Sequence, residues 1–346
     1  MIKYIGSKRR LVPTIGALIG QLPQVRSVVD LFSGTSRVGH ALKAAGYQVH
    51  ANDHNTYAAA LARCYVQSDA GDHSDAAALI AALDATPGRA GWFTQTYCHD
   101  SRFFQPHNGA RIDAIRQAIA ARGLPPEREA IALVSLMEAA DRVDSTTGVQ
   151  MAYLKQWARR SHKPLTLRVP ALLPRATAGK GSASQLDAAD AARQLSGDLA
   201  YLDPPYNQHK YVGNYHAWET LVRWDQPEVY GKARKRIDCR QRKSPFNSRP
   251  RIRAAMADLI ANLDARYLLV SFSDEGFLGR DELVEMLSPR GVVQVVSRAT
   301  DRYVGARIGV YSPGGDKVGK ISHLRNTEHL FLVTPEPVEI DADALP

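Results

Sequence analysis

The sequence predicts an α/β protein, a mostly parallel sheet interrupted by a helical insert. Three observations carry that prediction. A strand, a helix and a second strand follow one another within about 30 residues, the pattern of a βαβ unit and of parallel pairing. Several apolar runs end on an acid, as in "SVVD", "HAND" and "AYLD". Between them, residues 66–165 change to helical spacing with few β-branched residues.

Taken in order, "SVVDLFSG" (27–34) reads as a buried strand that turns at Gly34. "TSRVGHALKAAG" follows as a helix closed by Gly46, and "YQVHAND" is a second strand with Asp53 at its tip. In the insert, "DAAALIAALDATPG", "NGARIDAIRQAIAARG", "PEREAIALVSLMEAADRVDST" and "VQMAYLKQWARR" carry helical spacing. "KPLTLRVP" is a candidate return to the sheet, and 166–197 stays open. "AYLDPPYN" (200–207) ends a strand in an acid, two prolines and an aromatic. Beyond it come a helix in "RIRAAMADLIANLDA", a strand in "RYLLVSFSDEG", a helix in "GRDELVEMLSPRG", and strands in "VVQVVSRA" and "EHLFLVTP". The expected organisation is a catalytic unit from 1–65 and 166–335, an insert at 66–165, and an acidic, disordered tail at 336–346. In parallel sheets ligands bind beyond the carboxyl ends of the strands, so Asp30, Asp53 and Asp203 should meet in one crevice.

The chain has 346 residues and a net charge of +9. Between positions 223 and 253 eleven Lys and Arg stand against three acids, an excess of +8 that accounts for nearly all of it. Clustered basic charge is the footprint of phosphate binding, which makes 223–253 a DNA-contacting segment. Arg234, Lys235, Arg236, Arg240, Arg242 and Lys243 are its candidate contacts. The longest apolar runs, such as "ALVSLMEAA", are too short to cross a bilayer. No small-residue cleavage site follows a long apolar core at the amino terminus, so no secretory leader is expected. Three cysteines far apart exclude a disulfide framework and a cysteine-rich zinc site; no metal is expected, and the setting is a reducing cytoplasm, at the nucleoid.

Three stretches carry chemistry. In "DLFSGTS" (30–36), Gly34 lets backbone approach a ligand, and the helix start offers free amides. Asp53, 19 residues beyond Gly34, stands where an acid accepts hydrogen bonds from ribose hydroxyls. "YIGSKRR" sets Gly and Ser between an aromatic and a basic cluster. In "DPPY" (203–206), two prolines fix φ and remove donors, leaving carbonyls as acceptors beside the Asp203 carboxylate. Acceptors beside an aromatic face suit a planar amino group such as that of adenine or cytosine, with Tyr206 stacked on the base. His209 and His216 flank this turn, but no G-x-S-x-G context makes a hydrolase of them.

This combination resembles the Dam-type, alpha-arrangement DNA adenine-N6 methyltransferases, which use S-adenosylmethionine. "DLFSG" is similar to their cofactor loop, "DPPY" to their catalytic tetrapeptide and "YIGSK" to their amino-terminal motif, over most of 1–334. The resemblance implies a Rossmann-like sheet of seven strands, the last antiparallel, with a helical target-recognition insert. It implies that Tyr4 and Lys8 contact the methionine end of the cofactor, that Asp30, Phe32 and Gly34 shape its pocket, and that Asp53 holds the ribose. Asp203 would lie between cofactor and base, with Pro204, Pro205 and Tyr206 completing the clamp. The partner implied is double-stranded DNA, with a cognate restriction endonuclease as a further candidate; a monomer is expected, and no membrane. This chain departs from the family pattern in carrying Tyr4 where Trp is commoner and Ser36 where a second Gly is frequent. Three alternatives stand beside this reading: cytosine-N4 methylation, which more often has Ser at the first position of the tetrapeptide; methylation of a protein glutamine amide, which usually has Asn there; and a DNA-binding module without catalysis.

Overall fold

The computed structural model describes residues 1–208, 210–301 and 325–346; His209 lies outside the described residues. After a 3-10 turn at Lys8–Arg10, helix α1 (Val12–Gly20) begins with a proline in its first turn, where a missing N–H costs nothing. Then come β1 (Ser27–Asp30), α2 (Arg37–Ala44) and β2 (Gln48–Asn52), with β1 and β2 parallel. Helix α3 (Thr56–Ala62) runs into a π-helical turn (Arg63–Gln67). The next helices are α4 (Ala76–Asp84), α5 (Trp92–Thr94), α6 (Pro106–Ala121) and α7 (Pro126–Val143). The chain returns through β3 (Ser182–Ser184), α8 (Ala188–Gln194) and β4 (Ser196–Leu202). Helices α9 (Tyr211–Asn214) and α10 (His216–Arg223) lead to a small hairpin, β5 (Val229–Tyr230) and β6 (Lys235–Arg236). Helix α11 (Arg249–Asn262), β7 (Asp264–Ser273), α12 (Arg280–Leu287), β8 (Val292–Asp301) and β9 (Arg325–Thr334) complete the order.

The main sheet has seven strands in the order β3-β2-β1-β4-β7-β9-β8. The first five are mutually parallel, and β9, last in the chain, enters antiparallel between β7 and β8. The Rossmann-like expectation holds, down to the antiparallel final strand. Successive residues go to opposite faces, as a strand requires. Val28, Leu199, Leu269 and Leu330 pack against α1 and α2, while their neighbours Val29, Ala200, Leu268 and Phe331 pack against α8, α11 and α12. A sheet covered on both faces explains why these strands read as continuous apolar runs. Strand order reverses between β1 and β4, so a crevice opens where their carboxyl ends diverge.

The insert is less separate than its boundaries at 66 and 165 suggest. Its core joins Phe93, Ile112, Ile131 and Leu136 to Tyr57 and Leu61 of α3 and to Trp218 and Leu221 of α10. "KPLTLRVP" makes no strand. Prolines 164 and 170 bracket it, and Leu165 and Leu167 bury themselves in the helical lobe, leaving the edge position to Ser182–Ser184. The tail corrects the expectation of disorder. Gln21 exchanges two hydrogen bonds with Asp341, Thr14 Oγ1 donates to the Pro346 carbonyl at 2.7 Å, and Leu345 is 8% exposed against the α1 cluster. Val338, Ile340 and Leu345 supply enough apolar surface to dock an otherwise acidic segment. Among the described residues no helix is long and apolar enough to cross a membrane.

Candidate functional site

The crevice is built from strand ends. Asp30 is the last residue of β1, and the turn after it bends sharply, with Gly34 at φ +51° and Ser36 at φ +58°. A Cβ at Gly34 would lie in ordinary contact with the Tyr4 ring, at 3.4 Å, so it is the left-handed backbone rather than space that calls for glycine here. Asp53, just past β2, ties the turn down. One of its oxygens accepts from the Gly34 amide at 3.0 Å, the other from the Asn55 amide and side chain at 2.9 and 3.0 Å. Asp53 thus shapes the loop as well as facing the crevice.

Asp30 is 1% exposed, and neither carboxylate oxygen has a well-aligned hydrogen-bond partner. Burial, then the nearby Asp203 and Asp53 charges, push its pKa up to about 8; the Gly39 amide opposes this without aligning fully. An isolated carboxylate in that position favours its protonated form and can then donate a hydrogen bond.

Asp203 follows β4 directly. Its oxygen lies 3.0 Å from Lys8 Nζ, and the same ammonium is 3.1 Å from Glu328 on β9. Burial raises Asp203 to about 6, with Lys8 opposing and Glu328 adding to the rise, so the group is ionised at neutral pH. Burial works against the Lys8 charge, but the two carboxylates outweigh it and hold the ammonium above its ordinary range. Tyr206 turns its ring towards Phe272 at 5.4 Å, with Lys8 Nζ 5.7 Å from the ring centre. The Tyr206 carbonyl accepts from Phe277, and Asn247 donates to the Asn207 carbonyl, which pins the turn to the loop before α12 and to the segment before α11.

Around these groups stand walls that the sequence motifs did not single out. Tyr4 stacks between Tyr215 (4.5 Å between centres) and Tyr211 (5.2 Å), and its hydroxyl meets that of Tyr57 at 3.1 Å. Phe32 meets Phe246 edge-on at 5.2 Å, making an apolar slot. Asp187, at the N-cap of α8, also faces in. Arg242 reaches over the crevice, held by the fully buried Glu219 at 2.6 Å and the His54 carbonyl at 3.1 Å. The signal for Phe246, Tyr211 and Glu219 was weak: each lies in a loop or helix with no motif of its own. Glu328 had one trace, an acid opening the apolar run "EHLFLV".

Of the expected site residues, Tyr4, Lys8, Asp30, Phe32, Gly34, Asp53, Asp203, Pro205, Arg242 and Lys243 line one crevice. Pro204 and Tyr206 sit beside it rather than in its lining. The other basic candidates lie apart. Arg240 covers the Tyr230 ring at 4.0 Å, Arg234 pairs with Asp100 at 3.4 Å, and Lys235 lies 2.9 Å from the Met151 sulfur. Arg236 corrects the expectation of a phosphate contact. It is 1% exposed and forks onto Asp225 at 2.6 and 2.7 Å, with Asp238 at 3.2 Å, so its charge is spent inside the fold. His216 is buried against the Gln150 carbonyl, and burial lowers its pKa to about 3, so it is a neutral packing residue.

Comparison with known proteins places this geometry. The family model for D12 class N6 adenine-specific DNA methyltransferases matches residues 4–286. The type II methyltransferase M.NlaIII of Neisseria lactamica is 31% identical over 314 residues, covering 87% of this chain and 92% of the relative. Modification methylase StsI of Streptococcus sanguinis is 27% identical over 312 residues, and M.FokI of Planomicrobium okeanokoites 29% over 310. The match to each of those two spans 47% of the relative's own length. These likenesses favour adenine over the cytosine alternative. The chain belongs to the D12 class of N6 adenine-specific DNA methyltransferases, and its activity is sequence-specific methylation of adenine in DNA.

Proposed function

We propose that the crevice takes S-adenosylmethionine at the ends of β1 and β2 and receives, beside Asp203, an adenine flipped out of double-stranded DNA. One observation carries this reading: the "DPPY" acid and its Lys8 partner open into the same crevice as the Gly34 turn, Asp30 and Asp53. The residues fit the cofactor's chemistry. The Phe32–Phe246 slot suits an adenine ring, Asp53 suits ribose hydroxyls, and the unpartnered Asp30 carboxyl offers a hydrogen bond near the methionine end. When bound, the cofactor supplies an electrophilic methyl group on a positively charged sulfur.

The chain's own residues do the rest. The target amino nitrogen is a poor nucleophile because its lone pair is delocalised into the ring. Asp203 and a proline carbonyl of the turn accept its two hydrogens and favour the pyramidal form whose lone pair points at the methyl. Flipping costs a few kcal/mol of unstacking, offset by stacking on Tyr206 and by these hydrogen bonds. Arg234, Lys235, Arg240 and Lys243, with parts of the helical lobe, lie along the DNA and neutralise phosphates. The crevice is complete within one chain, which supports a monomer. A restriction–modification setting supplies the partner, an endonuclease that cuts the same site when unmethylated.

Transfer of a radiolabelled methyl group to duplex DNA, followed by digestion to nucleosides, tests the reading. N6-methyladenine is the expected product. Label in N4-methylcytosine, or none in DNA, overturns it.

A further inference from the structure

Lys8 is buried, and it is shared. Its ammonium lies 3.0 Å from Asp203 and 3.1 Å from Glu328, so one cation stands between two carboxylates and the cluster keeps a net negative charge. Glu328 is 9% exposed and belongs to β9, the strand that enters between β7 and β8. A Lys8–Asp203 pair alone would be neutral. Its ammonium would lean wholly on Asp203 and weaken that carboxylate as an acceptor for anything else.

The groups around the trio are accounted for. Tyr201 on β4, Tyr206 and Tyr211 face Lys8 or Asp203, and Asp30 adds a further acid from β1. Arg298, opposite Glu328 on β8, turns its guanidinium to the carbonyls of Leu345 and Pro346. Among the described residues, Lys8 is therefore the cation that Glu328 meets.

We infer that Glu328 is a positioning residue for methyl transfer: by taking a share of Lys8 it keeps Asp203 free to accept from the target amino group. This rests on reading the crevice as the methyltransferase site. In the reaction the amino nitrogen forms a bond to the methyl carbon as the methyl–sulfur bond breaks. Sulfur keeps the electron pair, and the nitrogen turns cationic before losing a proton to water. Positive charge thus crosses the crevice from sulfur to nitrogen without leaving it. The extra negative charge from Glu328 lies at the Asp203 end, where the positive charge arrives on nitrogen, and so favours the transfer more as it proceeds, which an uncharged Lys8–Asp203 pair would not.

Glu328→Gln keeps the shape and removes the charge. Methyl transfer to duplex DNA, followed across pH, should show kcat reduced roughly tenfold with both KM values within about twofold. The acid limb of kcat/KM should move to lower pH by roughly one unit, because a like charge that raises Asp203 is gone. Glu328→Asp retains the charge and should keep the limb near its wild-type position while recovering part of the rate. A lowered plateau with the limb unmoved in Glu328→Gln would make Glu328 a structural prop and overturn the inference. Wild-type kcat in that variant would overturn it too. Should Glu328→Gln fail to fold, the Asp variant decides: a displaced limb there sinks the inference, a retained one upholds it. Failure of the underlying reading looks different, because the wild-type protein itself would then transfer no methyl group at any pH.

Discussion

The strand tips and the basic segment are both dense in charge, and they dispose of it in opposite ways. At the tips, Asp30, Asp53 and Asp203 converge from three strands, and the one buried ammonium there, Lys8, meets Asp203 and Glu328. Negative charge is left over, since Asp203 and Glu328 share one Lys8, and Asp30, with no aligned partner, is pushed towards its protonated form. In the basic segment the acids are consumed first. Asp225 and Asp238 serve both Arg223 and Arg236, and Arg236 is sealed from solvent. What remains for a partner is the positive excess on the surface. The difference teaches that charge density along a chain marks a functional region, while pairing and burial decide which charges within it are available.

The comparison can be broken in several places. The largest effect is expected from Asp203→Ala, which should reduce methyl transfer by on the order of 10³-fold or more while the protein stays folded and binds DNA. Activity retained in that variant would remove the acceptor role from the strand tip. Next comes Arg236→Ala. It leaves Asp225 and Asp238 to Arg223 alone and empties a buried site, and should cost about 1–3 kcal/mol in urea unfolding, whereas the exposed Lys232→Ala should stay within about 0.5 kcal/mol of wild type. If the two variants unfold alike, the split between structural and available cations is wrong.

Smaller effects sharpen the picture. Asp53→Ala should weaken cofactor binding by about 1–3 kcal/mol in a calorimetric titration, since a buried acceptor is removed and the Gly34 turn loses its tie. The wild-type pH profile should fall on the acid side through about pH 6. Burial raises Asp203 to that value, and the carboxylate, needed as acceptor, disappears as pH drops below it. A profile flat across that range would mean that Asp203 does not titrate where its surroundings place it. Smallest of all, Arg234→Ala with Lys235→Ala should flatten the plot of log affinity against log salt by about 0.9 for each phosphate no longer neutralised, with cofactor binding unchanged. An unaltered slope would remove the hairpin from the DNA surface.

The βαβ core and the "DPPY" turn are legible in the sequence because both are local: continuous apolar runs, a turn glycine and two prolines declare themselves within a few residues. Asp30, Asp53 and Asp203 stand out for that reason, whereas Tyr4 and Lys8 stand out through the resemblance of "YIGSK" to the family's amino-terminal motif. Glu328 does not, since its meeting with Lys8 depends on where β9 inserts, and nothing near position 328 records a partner 320 residues away. Phe246 was hidden by its basic surroundings, which drew attention to charge rather than to the ring that lines the crevice beside Phe32. Arg236 misled in the opposite direction, because Asp225 lies across a hairpin and its claim on the guanidinium appears only once the chain has folded back. The docked tail failed through averaging: its acidic composition outweighed the three apolar side chains that hold it.

Lys8 and Glu328 lie 320 residues apart along the chain, so translation makes Lys8 long before its second carboxylate partner. A growing chain on the ribosome therefore carries the cofactor turn, the recognition lobe and the "DPPY" acid long before the strand that completes the cluster can slot between its neighbours. Copies without β9 hold a neutral Lys8–Asp203 pair that lacks its second carboxylate, and a sheet with an open seam. A message cut short of β9 yields protein that lacks the strand joining β7 to β8.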